Sequence, residues 1–530
     1  MKIHLSFHGA AGTVTGSCLR LATPRGSVLI DCGMFQGAKT LKELNYRPFP
    51  FAPAEPAALL LTHAHIDHSG LIPRLVREGF AGPVLATAGT IALCDALLRD
   101  AGQIQESEVA VLNRRNARRG RAEVAPIYTA QDAAAALSQF RRVDHGEWTP
   151  VLPGLRARFW NAGHILGSAS IELALAGAGP DGADLTLLVS GDLGPGNKAL
   201  QHPPEGPAGA DYVVCESTYG DTDRPPLTPD QRRARLAEVV RTAHAPEGVL
   251  LIPSFAVERT QELLADLLRL IEEGAVPQAP VFIDSPLAIR ATRVFARAGA
   301  ALANGADFAA LLHSTWLRPT ETVEESKAIA EVRGFKIILA GSGMCDAGRI
   351  RHHLRSWLWH GQATVLLVGY QASGTLGRLL QDGAREVRIQ GDEVTVRARI
   401  LWTDDYSGHA DAPELADWLA ARAPIRAGLF LVHGEAPARR ALAQRVAHLQ
   451  PLLPDLDATY ALSPTSARLA GAAPPRLPPE AVGRLDWHNA RSRLILDIGT
   501  RLDAAPDDRA RETLLARLRA ALDQEPGAAV

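Results

Sequence analysis

The nine residues Thr62–Gly70, THAHIDHSG, constrain the fold of this 530-residue chain more than any other stretch. They follow the apolar run Ala57–Leu61, so a buried strand ends where the loop begins. His63, His65, Asp67 and His68 supply three imidazoles and one carboxylate within six residues, a spacing that one loop can fold around a pair of metal ions. Imidazole and carboxylate are ligands that suit Zn²⁺, and a loop at a strand end leaves room for water beside the ion. A solvated loop rich in histidine is the competing reading, but His-x-His-x-Asp-His rarely arises by chance.

Comparable positions recur downstream. His164 sits in NAGHILGSAS, a Gly-flanked loop that follows the strand-like Leu155–Trp160. Asp192 comes directly after the apolar strand Asp184–Ser190 and next to Gly191, where a carboxylate can approach two ions and bridge them. His433 ends the apolar strand Gly428–Val432. Asp31, which closes Val28–Asp31, has two readings of equal weight: a turn-capping Asp before Gly, or a carboxylate that orients a metal-bound histidine. Counting strand-end donors gives His63, His65, Asp67, His68, His164, Asp192 and His433. Seven such N/O ligands suffice for two ions, a bridging carboxylate and a shared hydroxide, a constellation that can clamp attacking and leaving oxygens at phosphorus. No cysteine belongs to the set, which disfavours a structural zinc site.

The chain is too long for one core. Its first part reads as short β runs (Ile3–His8, Cys18–Ala22, Val28–Asp31, Leu59–Thr62) separated by Gly-rich turns, which predicts a meander sheet with one covered face. Helical spacing follows over Leu71–Glu78 and Thr90–Val111. After Glu216 the texture changes: Val249–Pro253, Val281–Asp284, Lys336–Ala340 and Thr364–Val368 are short apolar runs, each followed by a helical pattern such as Thr260–Glu273. Strands alternating with helices predict a parallel α/β unit. Because the first texture resumes afterwards, this unit reads as an insertion. The expected division is 1–215, an insertion at 216–390, a return segment at 391–462 that starts with one alternating strand over Glu393–Leu401, and a C-terminal extension at 463–530. That extension ends in the amphipathic stretch Arg509–Asp523, read as an oligomerisation or docking element that would suit a homodimer, with its last residues disordered.

Two Gly-rich turns of the insertion, GSGMCDAGR at 341–349 and GYQASGTLGR at 369–378, expose backbone N–H groups suited to phosphate. Ser342, Gly343 and Arg349 in the first and Gly374, Thr375 and Arg378 in the second are the candidate phosphate contacts. Arg114–Arg121, RRNARRGR, is either a solvated face or a phosphate path. The formal charge of −2 gives no bulk sign of a polyanion partner. Five dispersed cysteines without a C-x-x-C pair read as buried reduced thiols. With no signal-peptide pattern and no run near the ~20 apolar residues of a membrane span, the expected location is cytoplasmic.

The ordered motifs, Asp31, THAHIDH, His164 and Asp192, resemble those of the metallo-β-lactamase superfamily. Glu216 in ESTYGD, His409 in YSGHAD and His433 in LVHGE resemble the three further motifs of its β-CASP branch, whose members process nucleic acids. Within that branch the chain looks closest to bacterial and archaeal relatives of the pre-mRNA 3′-end endonuclease. The resemblance spans about the first 460 residues and implies a metallo-β-lactamase αββα sandwich with an inserted β-CASP α/β domain built on a parallel sheet. Residues 393–411 resemble the RNA-specificity segment. The resemblance also implies one Zn²⁺ on His63, His65 and His164, a second on Asp67, His68 and His433, and Asp192 as the bridge, with Mn²⁺ as an alternative occupant. Asp31 would orient a ligand, Asp67 would help orient the nucleophilic hydroxide, and Glu216 would support His409 as general acid toward the departing 3′ oxygen. His433 favours RNA over DNA. The expected function is zinc-dependent hydrolysis of single-stranded RNA, endonucleolytic, with a 5′ exoribonuclease or a catalytically silent RNA-binding scaffold as alternatives.

Overall fold

The computed structural model describes residues 3–37, 39–371, 374–471, 476, 494–495, 497–499, 501–502 and 504–522. In chain order the first strands are β1 (Ile3–Phe7), β2 (Leu19–Thr23), β3 (Gly26–Ile30), β4 (Pro56–Leu60), β5 (Val84–Thr87) and β6 (Phe140–Val143). A second group comprises β7 (Trp148–Leu152), β8 (Leu155–Asn161), β9 (Ala169–Leu175), β10 (Leu185–Val189) and β11 (Ala210–Glu216). The insertion carries β12 (Val249–Pro253), β13 (Val281–Asp284), β14 (Leu317–Pro319), β15 (Lys336–Ala340), β16 (Ala363–Val368), β17 (Glu386–Ile389), β18 (Asp392–Thr395) and β19 (Arg399–Thr403). The chain then returns through β20 (Ile425–Val432), β21 (Thr459–Leu462) and β22 (Ala467–Gly471).

Two sheets form the sandwich: an eight-stranded sheet ordered β22-β21-β1-β2-β3-β4-β5-β6 and a six-stranded sheet ordered β20-β11-β10-β9-β8-β7. Their facing sides, with Leu5, Leu21, Ile30, Leu60, Phe159, Ile171, Leu187 and Phe430 among the buried residues, make the central core. The helices Ile72–Arg77 and Ala88–Ala117 help cover the outer face of the first sheet. Ala412–Ala420 and Ala436–Arg445 cover that of the second. Caps fix where helices start: Thr87 Oγ1 accepts from the Thr90 N–H (3.3 Å), and Asp411 and Glu414 form a capping box.

The third sheet, β14-β13-β15-β12-β16-β19, is parallel throughout. Its strands VLLIP, KIILA and ATVLLV are buried along their whole length, as expected where helices pack on both faces. The expected αββα sandwich and the inserted parallel α/β unit are thus both present.

Several local expectations are corrected. Of the four runs expected to form the first meander, β1–β3 pair antiparallel but β4 does not: β3, β4, β5 and β6 run parallel, because long crossovers bring helices onto that half of the sheet. The helix expected to stop at Val111 continues to Ala117 and takes in Arg114 and Arg115. Glu393–Leu401 is two strands. At the break the Val396 N–H turns to Arg385 O (2.7 Å) and the Arg397 and Ala398 N–H groups to Leu358 O (2.7 and 2.8 Å), so β18 pairs back on β17 while β19 joins the parallel sheet. Sheet membership therefore carries the insertion beyond residue 390, and β22 carries the first sheet beyond residue 462. The terminal helix is Asp508–Leu522; Asp523 and the residues after it lie outside the described set.

Candidate metal centre and active site

β4 delivers its chain into Thr62–His65, and Ile66–Ser69 then closes a single helical turn. Three backbone bonds pin that turn: Ser17 N–H to Asp67 O (2.8 Å), Cys32 N–H to His68 O (2.8 Å) and Met34 N–H to Ile66 O (2.9 Å). The neighbouring loop approaches so closely that a Cβ on Gly33 would lie 1.6 Å from Asp67 O, which leaves glycine as the residue that fits. Gly194 is required in the same way, since its Cβ would lie 1.8 Å from Gly163 O, beside His164.

Two nests of donors result. In the first, His65 Nδ1 lies 3.1 Å from both His63 Nε2 and His164 Nε2, and Asp192 Oδ2 lies 3.5 and 3.7 Å from those two Nε2 atoms. In the second, His68 Nε2 and His433 Nε2 are 3.1 Å apart, Asp67 Oδ2 is 3.7 Å from His433 Nε2, and Asp192 Oδ1 is 3.3 Å from His68 Nε2. Donors about 2.0–2.1 Å from one tetrahedral ion stand roughly 3.3 Å apart, so these separations match the edges of a coordination tetrahedron. Asp192 Oδ1 is buried with no hydrogen-bond partner among the described residues, a cost that coordination would remove. Donor chemistry, spacing and this orphaned oxygen fit divalent cations.

The other nitrogen of several rings is held in turn. His63 Nδ1 meets Thr62 Oγ1 (3.1 Å), His164 Nδ1 meets Gly408 O (2.7 Å) and His433 Nδ1 meets Thr218 Oγ1 (3.0 Å). His68 Nδ1 faces Asp31 Oδ2 at 2.7 Å, while Asp31 also accepts from Ser17 Oγ and from the Thr62 N–H and hydroxyl. Asp31 thus contacts His68, and it sits in a left-handed turn (φ 61°), as does His433 (φ 49°).

Burial pushes His63 and His164 well below the usual imidazole range and His65 to about 4, so all three stand neutral, the ligand form. His68 and His433 go the other way: burial opposes their charge, but the carboxylates of Asp192 with Asp31, and of Asp192 with Asp67, outweigh it. Asp192 and Asp67 are held low against burial by the same imidazoles. Protons in the second nest thus neutralise carboxylates that a cation would otherwise neutralise, and cation binding would expel them.

Beyond the nests, Glu216 at the end of β11 is fully buried; Oε1 accepts from the Leu193 N–H (2.6 Å) and faces His409 Nδ1 at 3.2 Å. Its Oε2 accepts from the Thr218 N–H (3.2 Å). The His409 ring packs 4.6 Å from His164 and lines the same cleft of about 320 Å³ as His65, Asp67 and Asp192.

The turns of the insertion are a different matter. Arg349 gives Nη1 to Asp284 Oδ1 (2.7 Å) and Thr320 O (3.0 Å) and Nη2 to Glu321 O (2.7 Å), so its fork is engaged by protein. Arg378 pairs with Asp382 (2.8 Å), and Thr375 caps the helix Leu376–Gln381. The Ser342 hydroxyl lies against Ala347, and Gly343 O accepts from Gln371 Nε2 (3.1 Å). Neither these residues nor Gly374 line the metal cleft, and the Arg114–Arg121 run is likewise outside it. Sequence reading missed Ser17, Thr62, Thr218 and Lys198, whose ammonium donates to His164 O and pairs with Glu258 at 3.3 Å. A hydroxyl directly beside a ligand or Glu216 motif was the available signal for Thr62 and Thr218; Lys198 had none. All five cysteines are buried and unpaired, and among the described residues no helix is long and apolar enough to cross a membrane.

A helix-flanked β-sandwich with a histidine/aspartate cluster at its strand ends, roofed by an inserted parallel sheet, defines a metal-dependent hydrolase. The sequence matches the metallo-beta-lactamase superfamily over residues 11–154, the Beta-Casp domain over 260–380 and the Zn-dependent metallo-hydrolase RNA specificity domain over 393–450. It is 37% identical over 432 residues to Ribonuclease TTHA0252 of Thermus thermophilus, covering 81% of this chain and 92% of that one. It is 30% identical to Transcription termination factor FttA of Methanosarcina mazei, covering 83% and 68%, and 30% identical to FttA of Methanocaldococcus jannaschii, covering 82% and 67%. The chain belongs to the β-CASP ribonuclease branch of the metallo-β-lactamase superfamily.

Proposed function

We propose that this chain is a ribonuclease that hydrolyses phosphodiester bonds inside single-stranded RNA, using two Zn²⁺ ions, with Mn²⁺ as an alternative. The observation that carries the reading is Asp192, whose two oxygens each face a separate nest of imidazole and carboxylate donors, with the Glu216–His409 pair beside them. His63, His65 and His164 would hold one ion, Asp67, His68 and His433 the other, and Asp192 both. Cations so placed would activate water near neutral pH and neutralise charge on a phosphoryl group.

The chain's own residues supply the rest. Thr62, Gly408, Thr218 and Asp31 lock the imidazole orientations. Asp67, the most exposed of the ligand carboxylates at 21%, faces the cleft where water enters and is placed to orient it. Glu216 accepts the hydrogen bond from His409 Nδ1–H, which leaves Nε2–H of the imidazolium to give its proton to the departing 3′ oxygen, so a 3′-hydroxyl and a 5′-phosphate result. Endonucleolytic action is favoured because Arg349 and Arg378, the cations of the two Gly-rich turns, are paired within the protein, and neither is left to grip a terminal phosphate. The inserted sheet supports an extended polymer rather than a small ester as substrate. A covalently closed RNA circle tests the mode: linearisation is expected, and an intact circle beside digested linear RNA would establish end-dependent hydrolysis instead.

A further inference from the structure

Two arginines line the cleft, Arg232 buried and Arg259 half-buried, and they differ in one further respect. Arg232 is clasped by carboxylates, Asp266 at 2.9 Å and Glu262 at 3.2 Å, and these hold its charge firmly against burial. Arg259, at the start of the helix Arg259–Glu272, has no such partner. Its Nε donates to Tyr406 O (3.2 Å), its Nη1 is buried without a hydrogen-bond partner, and among the described residues no carboxylate pairs with it. Burial lowers its basicity, and Arg224 nearby lowers it further. The surrounding acids are engaged elsewhere: Glu258 with Lys198, Asp404 with Arg224 and Asp405 with Arg235. An uncompensated guanidinium with a free donor is costly unless an anion completes it.

What Arg259 touches indicates the anion. Its guanidinium lies over the Phe255 ring at 4.9 Å and is backed by Gly369 (φ 85°), where a Cβ would sit 3.0 Å from Nη2. Phe255 and Tyr370 line the same cleft as the two nests and are 40% and 42% exposed. Tyr370 meets Tyr219 edge-on at 6.5 Å, and Tyr219 meets His409 at 6.1 Å, so the aromatic surface runs up to the proposed proton donor. Guanidinium beside exposed ring faces is the chemistry of a nucleotide: phosphate to the fork, base to the π-face.

We propose that Arg259, Phe255 and Tyr370 form a nucleotide subsite next to the metal centre, in which Arg259 binds a non-bridging oxygen of a backbone phosphate and the two aromatics stack a neighbouring base. The subsite deepens, and rests on, the ribonuclease reading above. It reads charge and ring face rather than base identity, so it grips single strands of any sequence and rejects duplexes, whose bases are already stacked.

The test is equilibrium binding of the full-length, metal-loaded protein to a fluorescent oligouridylate with hydrolysis-resistant phosphorothioate linkages, beside the same backbone without bases. Wild type is expected to prefer the oligouridylate. Phe255→Ala with Tyr370→Ala should bind it roughly ten- to a hundred-fold more weakly and lose the preference. Arg259→Ala should weaken both ligands and reduce the slope of log affinity against log salt by about 0.7, while keeping the preference; Arg259→Lys should recover part of the affinity, which separates lost contact from lost fold. Wild-type affinity and salt slope in Arg259→Ala, or an undiminished base preference in the aromatic double variant, would overturn the subsite alone. A wild-type protein that binds no single-stranded RNA would overturn the ribonuclease reading and the subsite with it.

Discussion

Asp31 Oδ2 lies 2.7 Å from His68 Nδ1, with both side chains buried, while Asp31 Oδ1 takes the Thr62 backbone N–H at 2.9 Å. One carboxylate therefore ties the first histidine of the second nest to the strand end that launches the loop. Asp31→Ala should keep the fold and lower metal affinity roughly 10–100-fold, the usual consequence of losing such an orienting partner. Competition with a zinc indicator would show it; unchanged affinity would mean that the turn geometry alone places His68.

Chelation should destabilise the protein. Without cations the cluster offsets its buried carboxylates by protonating His68 and His433, and Asp192 Oδ1 stays without a hydrogen bond among the described residues. Ions binding only the folded state at about 100 times Kd add about 2.7 kcal/mol, so thermal unfolding should move down on chelation and recover on adding zinc. A melting temperature indifferent to metal would argue against a preformed site.

His409→Ala should cost roughly 10²–10⁴-fold in turnover while leaving RNA affinity and bound metal nearly intact. Glu216→Gln, which keeps shape but removes charge, should fall between that variant and wild type. The limb of the pH–rate profile that reports the acid should vanish in His409→Ala. Full activity of that variant at every pH would remove it from proton transfer.

Much of the candidate site was legible because its chemistry is local. THAHIDH needs one loop, Asp192 and His433 each follow a strand that reads as apolar, and His164 follows a strand-like run into a Gly-flanked loop. The reading failed where outcome depends on what lies across the fold. Glu393–Leu401 alternates like one strand, yet competing partners, Arg385 and Leu358, split it. Arg349 looked like a phosphate ligand because nothing near it in sequence announces Asp284, 65 positions away. Arg259, in an unremarkable FAVERTQE, acquires its role from carboxylates that pair elsewhere.

Asp284 supplies a stability prediction. Burial opposes its charge, but hydrogen bonds from His353, Ser326, Arg349 and Thr320 outweigh it and hold the carboxyl well below its ordinary value. A depressed folded value contributes stability above the unfolded one, near pH 4, that drains away as pH falls further. Asp284→Ala should cost about 3–5 kcal/mol in denaturant unfolding at pH 7 by stranding Arg349, with the gap to wild type closing in acid. A small, pH-independent loss would show that the cluster is merely packed.

The most direct test is incubation of metal-loaded protein with 5′-labelled single-stranded RNA beside the matching DNA, with products resolved on a gel. Internal RNA fragments are expected, absent on chelation and with Asp192→Ala, and DNA should remain whole. Intact RNA despite two bound metals per chain, or fragments that persist in Asp192→Ala, would contradict a bridged two-metal ribonuclease.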